Sequence, residues 1–199
     1  MDEAISEIKR LLEPILIMMQ LQPPRQPPSN IPSSIDLIPE GTLKEANCSN
    51  GWYITGYFLP VESDYSNKKV KTIHVQGKTR TFSQKFLDDV NIEGWGLTLK
   101  GDYIGYDFKG GYMINDRPLG SENNELLIGD VATDYSYIPF GSTVQIPTLP
   151  EPWNKKLLKA HDVGSAINGK HIDIYTGEGK KAEQETFRIT THGNRVCWK

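Results

Sequence analysis

Over residues 1–22 the apolar positions Ile5, Ile8, Leu11, Leu12, Ile15 and Leu16 recur at helical spacing, which predicts an amphipathic helix. Asp2, Glu3 and Glu7 sit at its start, where the helix dipole favours acids. Pro14 kinks it or splits it in two. The run Ile15-Leu16-Ile17-Met18-Met19 is apolar all round, so the segment calls for a partner chain or a second copy of itself. From Pro23 the pattern stops. Pro23, Pro24, Pro27, Pro28, Pro32 and Pro39 mark residues 23–45 as a linker of extended polyproline character. Beyond it, short alternating or aromatic runs recur between glycine-marked turns: Trp52–Leu59, Val70–Val75, Tyr103–Phe108, Ser142–Ile146, His171–Tyr175 and Phe187–Thr191. Helical spacing returns only briefly, over Ser83–Val90, Pro152–Lys159 and Gly179–Glu185. Residues 46–199 therefore read as one mainly β domain, and many short strands joined by varied loops suggest a closed barrel.

Composition narrows the class. The chain has 199 residues, 37% hydrophobic and 24% charged, enough to bury a core without metal staples. A net charge of -3 argues against nucleic acid as a partner, which wants a basic stripe. No run approaches the roughly 18–20 apolar residues that span a bilayer. The acidic start, the short apolar run and the lack of a small-residue cleavage site do not fit a secretory signal. Cys48 precedes the first strand-like run and Cys197 lies in the last. They are either a bridge tying the two ends of the domain together or two reduced, buried thiols, and their placement favours the bridge.

Most motif chemistry is absent. The sequence has no phosphate-binding glycine loop, no His-Glu-x-x-His and no Gly-x-Ser-x-Gly. His74, His161, His171 and His192 do not fall at metal-ligand spacing, and no cofactor is expected. What stands out is Ala160-His161-Asp162-Val163-Gly164-Ser165-Ala166-Ile167-Asn168-Gly169-Lys170-His171-Ile172-Asp173-Ile174-Tyr175. Upstream, Asp134 precedes Ile138-Pro139-Phe140-Gly141-Ser142. Asp134, Asp162 and Asp173 each stand beside a strand start or a tight turn. They form a candidate carboxylate cluster, in which mutual repulsion raises at least one pKa. The bland alternative is that aspartates beside Gly and Asn simply form turns.

These segments resemble the three-aspartate, or 3D, domain: an Asp before Ile-Pro-Leu-Gly-Thr, then Asp-Thr-Gly-Gly-Ala-Ile-x-Gly, then Ile-Asp-x-Tyr. The likeness is strong over about 131–197 and looser back to Gly56-Tyr57-Phe58-Leu59-Pro60-Val61-Glu62; it does not reach residues 1–45. Val163 and Ser165 depart from the usual Thr and Gly. The resemblance implies a six-stranded double-psi β-barrel with extra loops and strands, similar to the catalytic barrel of membrane-bound lytic transglycosylases of the A type and, more distantly, to expansins. His161-Asp162 is also similar to the His-Phe-Asp motif of expansins.

It further implies cleavage of the β-1,4 bond between N-acetylmuramic acid and N-acetylglucosamine, with formation of a 1,6-anhydro ring. Asp162 would be the general acid and then base, with Asp134 and Asp173 tuning it. Substrate contacts would come from Tyr57, Trp95, Glu62, His161, Gly164 and Ser165. Among the aromatic residues, Trp52, Tyr57, Trp95, Tyr103, Tyr106 and Tyr112 are candidate sugar platforms, although core packing suits most of them; Gly94-Trp95-Gly96 places a ring on a loop. For Glu62 a surface role is the plainer reading. Two further classes share the barrel: a non-catalytic, expansin-like polysaccharide binder, and a structural component of a virion or cell envelope tethered by residues 1–22. All three place the protein at a cell envelope, outside the cell or on a virion.

Overall fold

The computed structural model describes residues 34–66, 68–107 and 111–199. The helix expected over 1–22 and the first part of the linker lie outside the described residues. In chain order the strands are β1 (Asn47–Leu59), β2 (Val70–Val75), β3 (Lys78–Ser83), β4 (Trp95–Leu97), β5 (Tyr103–Asp107), β6 (Gly111–Asn115), β7 (Asp130–Thr133), β8 (Thr143–Gln145), β9 (Leu158–Asp162), β10 (His171–Glu178) and β11 (Thr191–Trp198). Helix α1 spans Gln84–Glu93 and α2 spans Gly179–Ile189.

Six strands close into a barrel in the order β1-β10-β7-β9-β8-β11. The β1–β10 and β7–β9 pairs are parallel, and β1–β11, β10–β7, β11–β8 and β8–β9 are antiparallel. Closure removes the free edges that a sheet of such short strands would otherwise expose. Trp52, Ile54, Val131, Val144, Leu158, Ile172, Ile174 and Val196 fill the interior. Because side chains alternate along a strand, inward Trp52 and Ile54 turn Tyr53, Thr55 and Tyr57 outward, and inward Ile172 and Ile174 do the same for Asp173. The β1–β10 register pairs Thr55 with Asp173 and Tyr57 with Tyr175, so one outer face of the barrel collects these polar groups.

Between β1 and β7 the chain makes an insertion: the β2–β3 hairpin, α1, and the β4-β5-β6 sheet. It has its own small core of Phe82, Phe86, Leu87, Val90 and Ile104. A third cluster around Leu59, Leu126 and Tyr175, flanked by Tyr57, Trp95 and Tyr103, joins insertion to barrel.

Several expectations change. The stretch read as a helix over Pro152–Lys159 is only a 3-10 turn at Trp153–Lys155 followed by the start of β9. From Leu158 on, buried Leu158 and Ala160 flank exposed Lys159, the alternation of a strand and not of a helical face. Of the strand expected over Phe187–Thr191, Phe187–Ile189 instead end α2, whose buried Ala182, Thr186 and Ile189 follow helical spacing while Phe187 faces solvent, and Thr191 begins β11. The last part of the linker is bound to the barrel: Ile38 is buried, the Gly41 N–H donates to the Lys155 carbonyl, and Lys156 Nζ lies 2.9 Å from Glu40 Oε1. Cys48 and Cys197, opposite one another across β1 and β11, are joined by a disulfide.

Candidate active site

A cleft of about 750 Å³ lies between the barrel and the insertion. One wall comes from the barrel: Tyr57, Asp162, Asp173 and the turn Val163-Gly164-Ser165-Ala166-Ile167. The other comes from the end of α1 and the sheet beside it: Ile92, Glu93, Gly94, Trp95 and Tyr106. The turn is tight at Gly164, where a Cβ would come within 2.8 Å of Ile167 Cγ1; glycine lets the chain bend back immediately after Asp162.

Asp162 ends β9 and points into the cleft. Its Oδ2 accepts a hydrogen bond from the Tyr57 hydroxyl at 2.7 Å, and its Oδ1 accepts one from the Ser121 N–H at 3.1 Å. The Ser121 hydroxyl donates to the His161 carbonyl, so a loop of the insertion fixes both the carboxyl group and the strand that carries it. Burial and the Asp162 carboxylate raise the pKa of the Tyr57 phenol well above its usual value, which keeps it a proton donor. On β10, which pairs with β1, Asp173 Oδ1 accepts from the Thr55 hydroxyl at 2.6 Å, and Thr55 Oγ1 lies 2.9 Å from His171 Nε2. Burial raises the Asp173 pKa and the nearby Asp162 adds to the rise, while Thr55 and His171 pull it back.

Glu93 is a residue that sequence reasoning missed. It closes α1, and its carboxyl pKa is pushed up to about 7, chiefly by burial and then by Asp173. Its only local signal is the adjacent Gly94-Trp95: Gly94, at φ 86°, stops the helix so that Glu93 and Trp95 both reach the cleft.

The structure does not bring Asp134 to this cleft. Its Oδ1 accepts from the Ser136 N–H and hydroxyl, and its Oδ2 accepts from the Gly169 N–H at 2.8 Å. These bonds, the Ser136 hydroxyl first, hold its pKa below the ordinary value. Asp134 ties the Asn168-Gly169 turn in place, as a turn-forming aspartate does. Glu62 is buried rather than on the surface, and its Oε2 accepts from the Leu99 N–H inside the insertion. His161 faces away toward Asp130 and Phe140. Trp52 is core; Tyr103 and Tyr112 spend their hydroxyls on Glu178 and Asn91. Of the proposed aromatic platforms, Tyr57, Trp95 and Tyr106 line the cleft. Among the described residues no group of three or more His, Cys, Asp or Glu side chains is arranged to hold a metal ion, and no helix is long and apolar enough to cross a membrane.

The closed six-stranded barrel, with its carboxyl-lined cleft against an inserted sheet, is similar in fold to crystal structures of the lytic transglycosylase MltA. Residues 130–196 match the family model of the 3D domain, which covers Asp134, Asp162 and Asp173. A stretch of 76 residues is 37% identical to the membrane-bound lytic murein transglycosylase A of Escherichia coli K12; it covers 34% of this chain and 18% of that protein. The chain thus aligns with under a fifth of the curated relative's length. The fold likeness reaches further. A crystal structure of E. coli MltA with bound chitohexaose superposes with a TM-score of 0.55 at 17% identity, covering 74% of this chain and 71% of that one. A second E. coli MltA crystal structure, described as a unique lytic transglycosylase fold, gives 0.53 at 17% identity, with 75% and 72% covered.

Proposed function

We propose that this protein cleaves peptidoglycan as a lytic transglycosylase, at the β-1,4 bond between N-acetylmuramic acid and N-acetylglucosamine. The observation that carries this reading is Asp162, placed in the cleft at the junction of its two walls and held there by Tyr57 and Ser121. It is supported by the 3D-domain match over that segment and by the likeness to a transglycosylase barrel seen with a bound sugar chain.

In this mechanism the protonated Asp162 carboxyl gives its proton to the glycosidic oxygen as the C1–O bond breaks. The carboxylate then takes the proton of the muramyl C6 hydroxyl, whose oxygen closes on C1 to give the 1,6-anhydro ring. One carboxyl group suffices because the nucleophile is already part of the bound sugar. Asp173 lies on the same wall of the cleft, and in its ionised form it would offset positive charge developing at C1. Trp95 and Tyr106 offer ring faces to the sugars, and the Gly164-Ser165 turn brings backbone close to them. The reading places the protein at a cell envelope.

The test is digestion of purified sacculi with mass spectrometry of the soluble products. Anhydro-muropeptides from the wild type, and their loss in Asp162→Asn, are expected. Reducing-end muropeptides would mean hydrolysis instead. Binding to sacculi without release of fragments would leave a non-catalytic, expansin-like binder.

A further inference from the structure

Glu93 sits where a carboxylate is poorly supported. It is the last residue of α1, at the helix end that disfavours negative charge, and it is partly buried in the wall of a cleft that already holds two acids. The groups around it are largely acidic. Asp173 faces it from β10 and Asp162 shares the cleft from β9; Asp89 lies on its own helix and Glu183 on α2. Tyr57 of β1 and Tyr106 of β5 line the same space, and the Phe58 backbone hydrogen bond acts the other way, favouring the ionised form.

We propose that Glu93 is a glycan-binding residue that works as a neutral acid, so that the cleft takes up a proton at Glu93 when an uncharged N-acetylated sugar chain fills it. The reasoning rests on the reading of this cleft as the glycan site. A bound sugar displaces water from the Glu93 carboxyl group without supplying a positive charge. Covering the group therefore favours its protonated form, and that form donates an O–H to a sugar hydroxyl or acetamido oxygen. By linkage, affinity holds at low pH and falls as pH rises through the Glu93 titration, by at most tenfold per pH unit for one proton. The titration near pH 7 places this change within the range where the protein can be assayed.

The probe is chitohexaose, an uncharged oligomer, titrated calorimetrically into the full-length protein from pH 5.5 to 8.5. Each pH is run in two buffers of different ionisation enthalpy, so that proton uptake is counted directly. The wild type is expected to take up a fraction of a proton near pH 7 and to bind more weakly by about tenfold or less per unit above it. Glu93→Gln, which keeps size and a donor, is expected to bind with no proton uptake there and with a flat profile. Binding by the wild type without proton uptake overturns the proposal, and so does an unchanged pH profile in Glu93→Gln. Should Glu93→Gln not fold, Asp162→Asn and Asp173→Asn are titrated in its place: uptake retained in both assigns the proton to Glu93, and uptake lost in either overturns the proposal. If the wild type fails to bind chitohexaose at every pH, the glycan reading of the cleft falls together with this inference; binding with a flat profile removes only the inference.

Discussion

At the scale of single residues, the cleft separates carboxyl groups by what surrounds them. Asp162 has two donors, Asp173 has one hydroxyl and burial, and Glu93 has burial at a helix end. Asp162→Asn keeps the size of the side chain but removes the transferable proton, and its release of soluble fragments from sacculi should drop about 10²–10⁴-fold. Tyr57→Phe removes one hydrogen bond to Asp162, and a loss of roughly 10-fold in the same initial-rate assay is expected. Glu93 gives a stability signature as well. Its folded-state pKa is raised, from the ordinary 4.5 to about 7, so the folded state binds the proton more tightly than the unfolded chain. Its contribution is present below about pH 4.5 and is lost as pH rises toward 7. Glu93→Gln should therefore match the wild type in thermal unfolding at pH 4 and exceed it at pH 8, by on the order of 1–3 kcal/mol. Equal differences at both pH values would show that folding does not raise the Glu93 pKa.

At the scale of elements, what was legible in the sequence depended on whether a segment has one buried face. β1 and β10 alternate, so Trp52, Ile54, Ile172 and Ile174 announced the strands and left Thr55, Tyr57 and Asp173 on the outer face. β7 could not be found this way, because all four of its residues are buried and period-2 contrast vanishes. The Asp162 turn was legible from its motif, and Asp134 carried the same motif weight, yet the fold gives that residue a turn to hold. Glu93 was not legible because its chemistry arises from β10 and β9, far away in the chain, and only the folding of the insertion brings them together. The insertion wall depends on close approach at Gly96 in β4, where a Cβ would stand 2.6 Å from Val90 Cγ2 and 2.8 Å from Phe86 Cε2. Gly96→Ala should push α1 off the sheet, destabilise the protein by about 1–3 kcal/mol in urea unfolding, and weaken chitohexaose binding by displacing Glu93 and Trp95. Unchanged stability would mean that the α1–β4 packing yields without cost.

At the scale of the whole molecule, the first and last strands of the barrel are neighbours, and the chain closes on itself through them. β1 and β11 pair from Asn47–Trp198 inward, with Cys48 opposite Cys197, and the Lys199 N–H and carbonyl bond to Thr143. The disulfide therefore encloses nearly the whole described domain, with a sequence separation of 149. In the unfolded chain it removes the freedom of a very long loop, which in the chain-entropy model is worth roughly 5 kcal/mol, close to the upper end of what single bridges contribute. The native contacts around it do not depend on it: strand pairing continues on both sides, and the barrel core lies inside. Replacing both cysteines, as Cys48→Ser with Cys197→Ser, should accordingly lower stability by about 2–5 kcal/mol while leaving Asp162, Tyr57 and Ser121 in register. Intact mass under non-reducing conditions should show two hydrogens fewer than the reduced chain. In urea unfolding the double variant should shift its midpoint well below that of the oxidised protein, and reduction of the wild type should reproduce that shift. Below the new midpoint its rate on sacculi should stay near the wild-type value, because the cleft is built by the far end of β1 at Tyr57, by β9, β10 and the insertion, and neither cysteine lines it. A variant that stays folded yet loses activity would show that the bridge sets the geometry of the cleft as well as the stability of the barrel.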